Sequence, residues 1–319
     1  MTEISVLIPA KDEALNMRPC LDAVFSQKGV PEFEVVLVDS GSKDGTPDIV
    51  KSYPVRLYQI PPHEFHHART RNYLASLSKG KYLVYLNADA FPASPDWMSS
   101  LLANFSDPSV AAAYGRHLPK SDCNLERQTV LSTMYGEERI VKEPSRKREL
   151  GYRYYHLSTV NAAIRRDVWE STGFPEELKI FEDVGIAKRI LDKGWKIVYE
   201  PKAKVYHSDN HTSEDLFKRY FDLGVVWKQL GMWDEPTQSS LFRDGIRLLR
   251  RKLAGPNGNG HSNGNGHRNG NGHGPRNGSS RLGSLVQDTA KYAGLMLGKH
   301  AHLLPLSIKR KMSGVQIFN

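Results

Sequence analysis

Between residues 4 and 105, short apolar runs alternate with stretches in which apolar residues recur at helical spacing. The apolar runs occupy residues 4–9, 33–38, 55–60 and 82–86, and the helical stretches cover residues 12–27, a segment opened by Thr46, residues 68–78 and residues 97–105. This alternation predicts βαβ units and a largely parallel, doubly wound sheet. Ligands bind beyond the carboxyl ends of such strands. Asp39 and Asp89, which follow two of the runs, are therefore the first candidate site residues.

From residue 110 onward the pattern is less regular. Strands are predicted at residues 110–114 and 195–199, helices at residues 126–141, 164–169 and 184–191, and a charged loop at residues 142–148. Apolar side chains return at helical spacing over residues 216–227, which predicts an amphipathic helix.

The last third of the chain contains a low-complexity tract at residues 255–280, GPNGNGHSNGNGHRNGNGHGPRNGSS. Such a tract buries too little apolar surface to offset its ordering entropy, so it predicts a disordered linker, although its histidines could bind metal. We expect it to separate a catalytic domain, residues 1–250, from a helical basic tail, residues 281–319. The tail's apolar spacing and its basic residues fit two roles equally, packing back on the domain and lying on a membrane surface.

A formal charge of +9 indicates anionic partners. The sequence has no zinc-finger spacing or recognition helix, so phosphate-bearing substrates or an anionic membrane surface are favoured over nucleic acid. The two cysteines, Cys20 and Cys123, form no disulfide framework and suit a reducing compartment. The N-terminus does not resemble a signal peptide, and no apolar stretch approaches the ~18 residues of a spanning helix. We therefore expect a cytoplasmic protein, soluble or peripheral on the inner face of the membrane.

Two segments place acidic residues after buried strands. In VDSGSKDGT, Asp39 enters a loop where glycines permit unusual backbone angles, so its carboxylate could accept hydrogen bonds from a nucleobase or ribose. In YLVYLNADAFP, Asp89, with Asn87 as a weaker helper, could bind a divalent cation that bridges diphosphate oxygens. Ordinary turn-forming or capping roles are the alternatives for both segments.

Two further segments offer polar groups. Glu182 and Asp183 precede a predicted helix, where the helix dipole favours carboxylates, so one of them could act as a general base or simply cap the helix. His207 follows a predicted strand and could complete a metal site or bind phosphate, although a lone histidine is more often structural.

Together, the order and spacing of these four segments resemble family 2 glycosyltransferases of the GT-A fold, over residues 4–230. The resemblance implies that Asp39 contacts the base, that Asp89 is the last acid of the metal-binding DxD motif, and that Asp183 is the catalytic base. It places His207 near the metal and the diphosphate. The donor-binding residues that it implies are Pro9, Ala10, Lys11, Glu13, Asp39, Ser42, Asp44, Arg71, Asn72, Asn87 and Ala88.

The segments FHHARTRN, YGRHLPKSD, VNAAIRRDVW and YHSDNHT with LFKRYFDLG resemble a rhamnosyltransferase-like branch of that family. By this resemblance, a cleft for donor or acceptor is lined by Arg116, His117, Asn161 and Glu182. Two positions depart from the family pattern. Asn87 stands where the DxD motif has its first acid, and Lys11 stands where an aromatic residue stacks on the base.

The resemblance implies an inverting transfer of a sugar, with rhamnose from dTDP-rhamnose as the expected donor, to a glycan or polyprenyl-diphosphate-linked acceptor in cell-surface polysaccharide synthesis. It also implies a divalent cofactor, Mg²⁺ or Mn²⁺. Two rival functions remain open at this point. A sugar-phosphate nucleotidyltransferase would need a Gly- and Arg/Lys-rich loop where this chain has IPAKDEALN, and a non-catalytic nucleotide-sugar-binding protein is supported only by Asn87.

Overall fold

The structure is a computed structural model that describes residues 2–235, 278–315 and 317–318. The chain divides into two compact units, residues 1–210 and residues 211–319.

The first unit alternates strands and helices along the chain. Its strands are β1 (Ile4–Ala10), β2 (Phe33–Asp39), β3 (Val55–Gln59), β4 (Tyr82–Leu86), β5 (Phe91–Pro92), β6 (Val110–Leu118), β7 (Ile140–Lys142), β8 (Asn161–Arg165) and β9 (Lys196–Tyr206). Its α-helices are α1 (Ala14–Phe25), α2 (Thr46–Val50), α3 (His67–Leu77), α4 (Trp97–Leu102), α5 (Leu125–Met134), α6 (Lys147–Leu150), α7 (Arg166–Thr172) and α8 (Glu182–Asp192).

All nine strands form one sheet in the order β3-β2-β1-β4-β8-β6-β9-β5, with β7 also paired to β9. Strands β3, β2, β1 and β4 are parallel, as the sequence predicts. Strand β8 runs antiparallel to both of its neighbours, so the sheet is mixed from there on. The predicted α/β class is confirmed. Strands β1 and β2 are almost continuously apolar because helices cover both faces of a parallel sheet.

The strand register brings the site segments to one edge of the sheet. Ala10 pairs with Asp39 at the carboxyl ends of β1 and β2. Phe91 pairs with Tyr206, which places the residue after β9, His207, beside the loop that carries Asp89.

Two predicted helices are partly wrong. The helix predicted at residues 126–141 ends at Met134, and Ile140–Lys142 is strand β7, which is stabilised by pairing with β9. The helix predicted at residues 164–169 begins only at Arg166, because Asn161–Arg165 is the central strand β8. A short apolar run does not by itself separate a buried strand from a helix. The predicted charged loop at residues 142–148 also begins with a lysine, Lys142, that is buried.

The second unit contains α9 (Ser213–Gln229), α10 (Gly278–Lys299) and α11 (Leu306–Met312). The predicted amphipathic helix corresponds to α9. Glycines let α9 and α10 touch backbone to backbone: a Cβ on Gly224 would lie 2.3 Å from the Leu295 oxygen, and one on Gly298 would lie 2.1 Å from the Phe221 oxygen. The tail helix α10 therefore packs back on α9.

The predicted end of the catalytic domain at residue 250, and the predicted linker up to residue 277, lie outside the described residues. The last three residues of that linker prediction, 278–280, belong to α10. Among the helices that the structure describes, none is both long enough and apolar enough to cross a bilayer.

Candidate active site

The loops after β1 and β2 are joined by side-chain hydrogen bonds. Asp12 N–H donates to Ser42 Oγ at 2.7 Å, and Lys43 N–H donates to Asp12 Oδ1 at 2.8 Å. Ala14 N–H donates to Asp44 Oδ2 at 2.8 Å. Asp12 adopts a left-handed backbone angle, φ 54°, which costs energy for a residue other than glycine. Ser42 and Asp44, both predicted to bind donor, thus shape the donor loops with their side chains.

Asp39 is fully buried at the end of β2. Its carboxylate accepts hydrogen bonds from the backbone amides of Gly41 and Ser42, at 3.2 and 3.1 Å, and from the Ser42 hydroxyl. Gly41 has φ 79°, and a Cβ there would lie 2.7 Å from Pro62, so only glycine fits this turn. The loop fixes the orientation of the carboxylate that we expect to contact the base.

The other residues predicted for the donor loops differ in exposure. Lys11 is exposed, Pro9 and Glu13 are half-buried, and Ala10 and Ala88 are buried. Glu13 N–H donates to Thr46 Oγ1 at 2.8 Å.

Asp89, His207 and Asp209 form a cluster with the composition of a metal site. His207 Nε2 lies 3.3 Å from Asp89 Oδ2 and 3.9 Å from Asp209 Oδ2. One potential ligand atom from each residue lies within 4.8 Å of the others. Two carboxylates and an imidazole can bind Mg²⁺ or Mn²⁺. Sequence reasoning missed Asp209, although its position two residues after His207 in the same loop is a usable signal.

The pKa values of two carboxyl groups at this cluster, Asp89 and Glu13, are shifted in opposite directions. Burial raises the pKa of Asp89, but the hydrogen bond from His207 and the electrostatic effects of His207 and Lys120 hold that pKa below the usual range. Burial raises the pKa of Glu13, and the neighbouring carboxylates of Asp89 and Asp44 add to this rise. Asp89 therefore remains ionised and available to a cation at neutral pH.

Arg71 connects the loop after β4 to the start of α8. Its Nη1 lies 3.0 Å from Glu182 Oε1, and its Nη2 donates to Asn87 Oδ1 at 3.3 Å. Arg71 and Glu182 are both buried, with 5% exposure each. The two motifs that sequence analysis assigned to metal binding and to catalysis are thus joined through one guanidinium.

Asp183 follows this ion pair in the first turn of α8. The preceding Phe181 has φ 59°, a second left-handed residue at the site. Asp183 is half-buried, and its Oδ1 accepts a hydrogen bond from Val184 N–H at 2.8 Å. A carboxylate at a helix N-terminus is stabilised in its ionised form, the form that a general base needs.

The residues predicted to line a cleft lie at different depths. Arg116 pairs with Glu137, Nη1 to Oε1 3.1 Å. His117 is buried, stacks on Tyr135 with ring centroids 4.1 Å apart, and meets the His207 ring edge-on at 5.3 Å. His117 thus lies behind the cluster of Asp89, His207 and Asp209.

Two predicted site residues, Asn161 and Asn72, make hydrogen bonds within the fold. Asn161 is fully buried: its Nδ2 donates to the Ala203 oxygen at 2.9 Å and its Oδ1 accepts from Trp97 Nε1 at 2.8 Å. Its amide therefore satisfies polar groups of the core. The amide of Asn72 bonds to both backbone polar groups of Phe174 and to the Trp169 ring nitrogen, so it anchors the segment before α8.

The chain is similar in sequence to two O-antigen chain rhamnosyltransferases. The O-antigen chain rhamnosyltransferase WbaN of Salmonella anatum is 33% identical over 282 residues, covering 88% of this chain and 84% of WbaN. The O-antigen chain rhamnosyltransferase RfbN of Salmonella typhimurium strain LT2 is 31% identical over 314 residues, covering 98% of this chain and 94% of RfbN.

Two solved structures share the fold. The mannosyltransferase PcManGT of Pyrobaculum calidifontis, solved with GDP-Man and Mn²⁺, superimposes with a TM-score of 0.53 at 18% identity, covering 99% of this chain and 77% of PcManGT. S. aureus TarS 1-349 gives a TM-score of 0.53 at 20% identity, covering 70% of this chain and 65% of the TarS chain. The architecture is thus the GT-A fold. Residues 5–173 match the family described as Glycosyl transferase family 2, and the chain belongs to that family of glycosyltransferases.

Proposed function

We propose that this glycosyltransferase inverts the anomeric centre in a single displacement, with Asp183 as general base. The acceptor oxygen bonds to the anomeric carbon as the bond from that carbon to the diphosphate oxygen breaks on the opposite face. The acceptor proton passes to Asp183, and the nucleoside diphosphate leaves. Holding the two reactants in line removes much of the entropic barrier.

The observation that carries this proposal is the Arg71 bridge. It hydrogen-bonds to Asn87 in the loop of Asp89 and pairs with Glu182, the neighbour of Asp183. A transferase needs its base and its leaving-group site at a fixed separation, and a buried ion pair with a hydrogen bond supplies a rigid connection. Because Glu182 is bound to Arg71, it is less suited to accept a proton than Asp183.

Asp89, His207 and Asp209 would hold a divalent cation, and their donor atoms suit one. No described residue hydrogen-bonds to the buried Nδ1 of His207, and Nε2 is the ring nitrogen that faces the two carboxylates. When bound, a divalent ion neutralises charge on the departing diphosphate. Asp39 and the loops after β1 and β2 would bind the nucleoside.

We assign dTDP-rhamnose as donor and a glycan or polyprenyl-diphosphate-linked glycan as acceptor, in cell-surface polysaccharide synthesis. Two O-antigen chain rhamnosyltransferases that match most of the chain support this assignment. The 6-deoxy sugar lacks one hydroxyl, and an apolar pocket rejects an added hydroxyl only about a hundredfold. Donor selectivity therefore requires an apolar wall facing C6.

We also place the enzyme in the cytoplasm, peripheral on an anionic membrane. Helix α11 has no buried residue and three basic residues, Lys309, Arg310 and Lys311, in its last turn. Leu306 and Ile308 on the same helix are exposed, so the segment combines apolar and basic groups that favour an anionic bilayer surface.

Competition between donors tests the assignment. We expect kcat/KM for dTDP-rhamnose to exceed that for UDP-glucose, UDP-galactose and UDP-N-acetylglucosamine by about tenfold or more in a transfer or hydrolysis assay. A uridine-diphosphate sugar that wins by a similar margin would overturn the rhamnose assignment and leave the glycosyltransferase activity intact.

A further inference from the structure

Lys120 lies in the loop that follows β6, next to the metal-ligand cluster. Its backbone N–H donates to Ser208 Oγ at 3.1 Å, and His207 N–H donates to the Leu118 oxygen at 2.9 Å. The β6–β9 register continues to the pair Leu118 and Tyr206. The Lys120 loop is therefore fixed, backbone to side chain, against the loop that carries His207 and Asp209.

The side chain of Lys120 is directed toward the same cluster. Its ammonium lies 5.0 Å from the centroid of the Phe91 ring, and Phe91 is only two residues beyond Asp89. Burial raises the pKa of Asp89, whereas His207 and, to a smaller extent, Lys120 lower it. Burial also raises the pKa of Glu13, and Lys120 lowers that pKa as well. The ammonium charge is therefore close enough to act on the carboxylates of Asp89 and Glu13.

Lys120 nevertheless has no salt-bridge partner among the described residues. Within the described part of the chain, its ammonium makes no salt bridge and no hydrogen bond, and it lies over the Phe91 ring. The residue is half-buried. A half-buried cation that lies over an aromatic ring beside an anionic cluster, with no direct salt-bridge partner among the described residues, is suited to bind an anionic ligand.

The charge of the site supports the same conclusion. Asn87 is neutral where the family motif has an acid, so the cluster contributes only the carboxylates of Asp89 and Asp209 to a divalent cation. As the sugar departs, the diphosphate gains a further negative charge. A fixed ammonium near the cluster would stabilise that charge at the moment it develops.

We propose that Lys120 is a catalytic residue that contacts the diphosphate of the donor and stabilises it as leaving group. The inference rests on the proposed function. It assigns Lys120 a role beside the metal ligands, because the ammonium touches phosphate oxygens directly.

Nucleotide binding to the full-length chain tests this role. Lys120→Met keeps the aliphatic stem on Phe91 and removes the charge, Lys120→Arg keeps the charge, and Lys202→Met alters an exposed lysine as a matched control. Calorimetry would compare nucleoside, nucleoside monophosphate and nucleoside diphosphate, each with Mn²⁺ and with excess chelator. The nucleobase of all three ligands is thymine or uracil, chosen by which of the two nucleoside diphosphates binds the wild type more tightly.

We expect Lys120→Met to weaken diphosphate binding by roughly 10- to 100-fold, the range for a hydrogen bond to a charged group. The loss should persist in chelator and be absent for the nucleoside. Lys120→Arg should recover most of the affinity, and Lys202→Met should match the wild type.

Three results would overturn the inference alone: diphosphate affinity unchanged in Lys120→Met, a loss confined to Mn²⁺-containing buffer, or an equal loss for the nucleoside. The first removes the contact, the second reduces Lys120 to an influence on the metal ligands, and the third indicates general damage to the fold. A wild-type chain that binds neither diphosphate would instead overturn the proposed function.

Discussion

Arg71 and Glu182 form an ion pair, Nη1 to Oε1 3.0 Å, in which both side chains are more than nine-tenths buried. Charges removed from water lose several kcal/mol of solvation each, so such a pair is stable only while both partners are present. The pair stands between the loop of Asp89 and the first turn of α8, and its loss should affect folding before it affects chemistry.

Glu182→Ala should therefore lower the free energy of unfolding by about 3–5 kcal/mol, because it leaves the Arg71 guanidinium buried and unpaired. The measurement is urea unfolding of the single variants and of the Arg71→Met/Glu182→Ala double variant. The double variant should be more stable than the sum of the two losses implies, since it removes both charges together. Strict additivity would show that the two side chains are not coupled.

Asp183→Asn should reduce turnover and leave the protein folded. The side chain is half-buried, and an amide oxygen can also accept the hydrogen bond that Asp183 Oδ1 accepts from Val184 N–H, so the variant should still fold. Turnover should fall by roughly 10²- to 10⁴-fold while donor binding is retained, because the amide cannot accept the acceptor's proton. Steady-state transfer and donor affinity would be measured together. Near-normal turnover of Asp183→Asn would show that Asp183 is not the general base.

Lys142 gives a prediction about pH. It is buried, its Nζ donates to the His156 oxygen, and it lies 4.6 Å from the Tyr114 ring centroid. Burial, with a smaller contribution from Arg153, holds its pKa well below the usual range. Because the folded-state pKa is the lower one, the unfolded chain binds the proton more tightly. Stability is then lost as pH falls from about 10.4, the ordinary lysine value, toward the folded pKa.

Lys142→Met removes this titration. Between pH 7 and 10, the wild type should gain stability relative to Lys142→Met by up to about 1.4 kcal/mol per pH unit over the interval above its folded pKa. Urea unfolding of both proteins at each pH measures the difference, with the exposed Lys202→Met as control. Parallel pH profiles for wild type and Lys142→Met would contradict a depressed lysine.

Local pattern was sufficient for the first half of the fold and for the order of the site motifs. Asp39 and Asp89 follow strands whose apolar runs are long and uninterrupted, and parallel strands bring their carboxyl ends to one edge. Those two positions follow from the sequence because strand direction alone determines them.

Pairing between distant strands could not be predicted in the same way. Strand β7 has three residues and exists because β9 pairs with it, and β8 is an alanine-rich run whose helical and extended forms have similar patterns. The burial of Asn161 on β8 depends on the same distant pairing. A polar residue in a motif suggests a cleft. Here, however, the Asn161 amide fits into the core because Gly115 has no side chain: a Cβ on Gly115 would lie 2.3 Å from the Asn161 amide nitrogen.

Asp209 provides the last prediction, since only the folded chain brings it to Asp89. Its Oδ2 lies 3.9 Å from His207 Nε2, the atom that also faces Asp89. Asp209→Ala and Asp89→Ala should each weaken Mn²⁺ binding in the presence of nucleoside diphosphate by at least about tenfold. Asp48→Ala, an exposed aspartate on α2, should have no effect. Calorimetric titration with Mn²⁺ measures the affinity of all three variants, and thermal unfolding without metal checks that each variant is folded.

If Asp209→Ala binds Mn²⁺ as the wild type does while Asp89→Ala does not, the cation is held by Asp89 and His207 without Asp209. Full transfer activity in excess chelator would remove the metal from the reaction altogether.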